Sequence, residues 1–129
     1  MSGYEPAMTE RLNLGQIALL ITYAAGMAAG QLLFKAAALR LGDADPLSTR
    51  ALRLLQDAPF VGAIALYAAL SVLWVWLLTF TPLSRAYPFV AVAFALTPVL
   101  GALVFAEPLS ARLLVGIAVG ACGLVLVVG

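Results

Sequence analysis

Four long apolar runs, separated by polar stretches, set the pattern of this chain. They cover about residues 14–39, 60–80, 86–105 and 109–128. A helix needs roughly 20 mostly apolar residues to cross a bilayer, and each run meets that length. Hydrocarbon offers no water to the backbone, so each run is expected to be a helix. The connections "TPLS" and "AEPLS" are short, which makes consecutive helices antiparallel neighbours. "RLGDADPLSTRALRLLQDAP" is the one sizeable polar loop. Its "TRALRLLQDA" portion carries charged and apolar residues at helical spacing, which predicts a short interfacial helix. The expected fold is an all-α membrane protein. It has an N-terminal tail over 1–13, then a four-helix transmembrane domain over 14–129 with one longer loop.

Composition agrees with the pattern. Of 129 residues, 64% are apolar and 10% charged, against about 45–50% and about 25% in soluble domains. A soluble fold of this length cannot hide so much apolar surface. There is no histidine, which removes imidazole metal sites and histidine-based nucleophile pairs. No cofactor or metal is expected, and no basic patch points to nucleic acid. Cys122 stands alone in an apolar run and reads as a small packing residue. The opening "MSGYEPAMTERLN" lacks the basic start of a signal peptide, so the first run is expected to be a retained span.

Basic residues set the expected orientation. The long loop and the last connection carry Arg40, Arg50, Arg53 and Arg112, with Lys35 at the border. The other side carries Arg11 and Arg85. This bias places the long loop in the cytoplasm and both termini outside.

Small and polar residues within the spans are the candidate site. Gly26 and Gly30 form a GxxxG on the first helix, and Gly116, Gly120 and Gly123 repeat the theme on the fourth. Both are candidate faces for helix packing or dimerisation. Beside the first of them, Tyr23, Met27, Gln31 and Lys35 recur every fourth residue and share one face. Pro88 and Pro98 in the third run are candidate kinks, which free carbonyls where the helix borders a cavity. Lys35 and Arg85 are the cations at the borders of the spans, lysine a point charge and arginine a two-pronged donor. Gln31 and Tyr87 add hydrogen-bonding groups to the same spans. Plainer readings stand beside these. Lys35 can snorkel to headgroups, Arg85 can anchor its helix, and Gln31 can bond a neighbouring helix. Glu107 is expected to cap or pair locally, with Arg112 in reach. Trp74 and Trp76 are expected to face lipid or the interface.

Three motifs carry a resemblance to a known family. "GQLLFK" at 30–35, "TPLSRAYPF" at 81–89 and "FAEPLSARLLVGIAVGACGLVLVVG" at 105–129 resemble, in order and spacing, the short four-helix branch of the drug/metabolite transporter superfamily. Two families of that branch are short enough. The small multidrug resistance proteins carry a membrane glutamate three residues before the glycine, where this chain has Met27. The Gly-Gln pair at 30–31 and "AYP" at 86–88 are more similar to subunits of the aminoarabinose–undecaprenyl-phosphate flippase. Arg85 departs from both, where an apolar residue is usual.

The resemblance implies a flippase subunit for a polyprenyl-phosphate-linked sugar or similar anionic lipid in a bacterial inner membrane, with Lys35 and Arg85 as candidate cations for its phosphate and Gln31 and Tyr87 as candidate hydrogen-bond partners. Its partners are the lipid-linked substrate, membrane lipids and a second four-helix subunit, as a homodimer or heterodimer. An exporter of small metabolites or drugs is the alternative, and it calls for a titratable carboxylate in the membrane. A non-transporting scaffold subunit is the third reading. An enzyme is not expected, since no nucleophile stands with a base.

Overall fold

The computed structural model describes residues 12–43 and 45–128. Helix α1 spans Leu14–Leu41, the short α2 spans Leu47–Leu55 and α3 spans Ala58–Leu78. A single turn, α4 (Leu83–Ala86), passes through a 3-10 turn at Tyr87–Phe89 into α5 (Val90–Phe105), and α6 spans Ala111–Val128. Four helical stretches are long and apolar enough to cross a membrane: Leu14–Leu41, Ala58–Leu78, Leu83–Phe105 and Ala111–Val128. The chain is an all-helical, multi-pass membrane protein. The tail before Leu12 lies outside the described residues.

Local sequence explains where the helices begin. Asn13 caps α1: its Oδ1 accepts the Gln16 N–H at 2.8 Å, and Gln16 Oε1 accepts the Asn13 N–H at 2.9 Å. Gln16 Nε2 also donates to the Phe80 carbonyl at 3.0 Å, which ties the start of α1 to the turn after α3. Asp57 caps α3 and pairs with Arg40 Nε at 2.7 Å. The third span starts at Leu83, ahead of Ala86, because Pro82 opens a helical turn there. Pro88 sits in the 3-10 turn, and Pro98 lies inside α5.

α1 is the central helix. α3 runs antiparallel beside it, with Tyr23 stacked on Trp74, Gly26 against Leu70, Gly30 against Tyr67 and Phe34 between Tyr67 and Phe60. α5 runs parallel to α1 on another side, and α6 returns along α5. The buried residues of α1, α3 and α5 are mostly alanine and glycine, among them Ala24, Ala28, Gly30, Ala63, Ala93 and Gly101. Small residues let helix backbones approach closely where no hydrophobic force drives association. Large side chains such as Val72, Val75 and Leu103 point outward instead, as a lipid solvent permits.

The densest packing lies at the end where α1 begins and α3 ends. Leu20, Leu77, Ala86 and Phe89 form the cluster there, with Leu124 and Val128 of α6 against it. At the opposite end α2 bridges α1 and α3. Its leucines Leu47, Leu52 and Leu55 are exposed on one side, and Arg53 on the other pairs with Asp45. An amphipathic helix of this kind suits the membrane interface.

Candidate functional site

A shallow groove of about 330 Å³, open along one side, runs between α1 and α5. It is lined by Met27 and Gln31 of α1 and by Val90, Ala93, Phe94, Thr97 and Pro98 of α5. Its walls are apolar and its polar groups are few. One follows from the backbone: Pro98 has no N–H, so the Phe94 carbonyl one turn earlier lacks its helical partner. Thr97 and Gln31 line the same groove.

Gln31 is held by a residue that the sequence did not single out. Its Nε2 donates to Tyr67 Oη at 2.7 Å, and Tyr67 Oη donates to the Met27 carbonyl at 3.0 Å. The phenol thus spends its proton on α1 backbone and offers a lone pair to the amide. A carboxamide has two donor hydrogens and an acceptor oxygen. Among the described residues only one of these is used, so Gln31, which lines the groove, keeps an N–H and a carbonyl to spare. The GxxxG makes this possible. A Cβ on Gly30 would lie 2.5 Å from Tyr67 Cε2, and one on Gly26 would lie 2.9 Å from Leu70 Cδ2. The first glycine face is therefore taken up by α3 of the same chain.

The stripe on α1 continues in both directions. Toward the dense end, Tyr23 stacks on Trp74 with centroids 4.8 Å apart, and Trp74 meets the edge of Tyr87 at 6.5 Å. Trp74 is thus half-buried inside the helix bundle, while Trp76 faces outward against Phe80. Tyr87 itself is 62% exposed. Toward the α2 end, Lys35 pairs with Glu107 at 3.3 Å. Glu107 thus reaches across to α1. The expectation of a purely local role was wrong, because α5 packs along α1 and puts its C-terminal turn over Lys35.

Arg85 stands apart from the groove. Its Nη1 donates to the Val127 carbonyl at 3.0 Å. The last carbonyls of a helix have no partner within it, and a cation there also offsets the helix dipole. Arg85 thus fastens the end of α6 to α4, which gives this arginine a structural use. Lys35 and Arg85 mark opposite ends of the bundle, and the fold does not bring them together.

The second glycine face behaves differently from the first. A Cβ on Gly116 or Gly123 would meet nothing within 4 Å, and one on Gly120 would meet only Phe94, at 3.8 Å. No residue in the apolar window of α6 is buried.

No protein-family model, curated protein or solved structure matches this chain.

Proposed function

We propose that this chain is a subunit of a small transporter that moves a polyprenyl-phosphate-linked sugar, or a similar anionic lipid, across a bacterial inner membrane. One observation carries the reading. The groove between α1 and α5 joins an apolar, laterally open wall to a floor whose polar side chains are Gln31 and Thr97, and Pro98 in its lining leaves the Phe94 carbonyl without a helical partner. A headgroup needs hydrogen-bonding partners in the membrane interior, and a long lipid tail needs a side exit. Met27 lies on that floor, where the small multidrug resistance proteins that the sequence resembles hold a carboxylate. The floor is uncharged and ends at Lys35, which favours an anionic headgroup over a cationic drug. The bias of basic residues toward the α2 end supports an orientation with that end in the cytoplasm and the termini in the periplasm. The test is reconstitution into liposomes with a fluorescent polyprenyl-phosphate sugar and a membrane-impermeant quencher. Exchange between leaflets above protein-free vesicles supports the reading; no exchange, alone or with a related subunit, sinks it.

A second reading has one observation in its favour. Glu107 puts a carboxylate at the end of the polar stripe, as an exporter of small cations would want. Proton-coupled cation uptake lost on Glu107→Gln would favour it.

Four helices leave the groove with one open side, so the working unit is a dimer. The face that supports this is Gly116, Gly120 and Gly123 on α6, which is open at Gly116 and Gly123 and touches only Phe94 at Gly120. A double substitution, Gly116→Leu with Gly123→Leu, is expected to shift the protein to monomer in cross-linking and light scattering. Helicity should stay unchanged, since no neighbour in the chain is displaced. A dimer that survives the change locates the interface elsewhere.

A further inference from the structure

The geometry points to an anion-binding site at Lys35 that is held closed by the chain's own Glu107. An incoming phosphate takes Lys35 by displacing that carboxylate. This inference rests on the anionic-substrate reading above and names how its headgroup is admitted.

Four features aim Glu107 at this position. Ala106 ends α5 in the left-handed conformation, φ 56° and ψ 34°, which a residue with a Cβ adopts only at a cost. That turn reverses the chain direction just before Glu107. Pro108 follows and holds Glu107 extended. Gly101, a buried residue of α5, then leaves a seat for the carboxylate: a Cβ there would lie 2.6 Å from Glu107 Oε1. Oε2, the other oxygen, faces Lys35 Nζ at 3.3 Å. The carboxylate is thus folded back along α5 toward the groove.

The pair is built to exchange. Both side chains keep more than two-fifths of their surface exposed, 42% for Lys35 and 45% for Glu107. Among the described residues, Lys35 has no second anion and Glu107 no second cation. An exposed pair of this kind is weakly held. A carboxylate on an ammonium is also a fair stand-in for a phosphate oxygen. One turn along α1 lies Gln31, which lines the groove and has amide groups to spare. A phosphate that replaced Glu107 would sit at the mouth of the polar floor. The freed Glu107 would then release the α5–α6 turn from α1, which opens that end of the groove. No covalent step is involved, only the exchange of one anion for another on Lys35.

The test compares wild type, Glu107→Gln, Gly101→Ala, and Glu107→Gln combined with Lys35→Gln. Each is held in phosphatidylcholine nanodiscs. One arm titrates inorganic phosphate by calorimetry; the other measures retention of phosphatidic acid doped into the discs. Glu107→Gln is expected to bind about fivefold tighter than wild type, which is about 1 kcal/mol. Gly101→Ala should move the same way by a smaller amount, because its methyl group takes the seat of Glu107 Oε1 and crowds the carboxylate without removing any charge. Adding Lys35→Gln should abolish the gain. A gain in both arms assigns the site to any phosphate, and a gain only with phosphatidic acid assigns it to a lipid headgroup. The proposal is overturned if Glu107→Gln binds no tighter, if the gain survives loss of Lys35, or if Gly101→Ala stays at wild-type affinity. Lipid-sugar exchange is measured separately. Exchange with unaltered phosphate affinity sinks this inference alone, and tightened affinity without exchange sinks the transport reading alone.

Discussion

Gly30→Ala is expected to destabilise the protein by about 2 kcal/mol, whereas Gly26→Ala should be close to neutral. The two glycines belong to one motif, so the contrast comes from their neighbours. At Gly26 the obstacle is the tip of Leu70, 2.9 Å from the new Cβ. A leucine tip can rotate, and alanine repays up to ~1 kcal/mol in helix propensity. At Gly30 the obstacle is the ring of Tyr67, with Cε2 at 2.5 Å and Cζ at 2.9 Å. That ring is a rigid plane. It is stacked on Phe34 with centroids 5.4 Å apart and is held at its tip by the Met27 carbonyl and Gln31. A methyl group at position 30 must push it out and break both hydrogen bonds. Such bonds between membrane helices are worth roughly 0.6–2 kcal/mol each. Unfolding in mixed detergent micelles measures the difference. Equal stability of the two variants would mean that the ring has room the packing does not show.

Gln31→Leu should cut lipid-sugar exchange at least about tenfold, a loss of about 1.4 kcal/mol, while insertion and folding persist. The stability cost should stay below ~1 kcal/mol, because one interhelical hydrogen bond is lost and Tyr67 still donates to the Met27 carbonyl. The transport cost is larger because the floor loses its spare N–H and carbonyl. A headgroup passing there would then leave its own polar groups unpaired. Tyr67→Phe separates positioning from contact. It keeps the Gln31 amide but removes its anchor, so exchange should fall less than in Gln31→Leu. Wild-type exchange by Gln31→Leu would place the path of the headgroup outside this groove.

Both results depend on Tyr67, which nothing in the sequence marks. It is one aromatic residue in the span Ala58–Leu78, which is apolar on every face. In a soluble helix, amphipathic periodicity tells which side packs inward. Here α1, α3 and α5 show no such asymmetry, so their inner faces cannot be read from the pattern. Glycine spacing gave the one legible hint. Gly26 and Gly30 did mark a close helix contact, yet spacing could not say that α3 of the same chain fills it. The same spacing on α6 meets almost nothing.

The sequence by itself determined the number of spans, their order and the alternation of their directions. It also determined that the long loop holds an amphipathic helix. These follow from one-dimensional constraints: bilayer thickness fixes the length of each run, the missing water forces helices, and short connections force reversal. Tertiary structure alone decided what the polar residues do. Lys35 meets Glu107, Gln31 meets Tyr67 and Arg85 meets the end of α6, each across a wide gap in sequence. A polar group in hydrocarbon must find a partner, but which one depends on the register of one helix against the next. That register is set by where small residues let two backbones come close, and it exists only once the helices are packed.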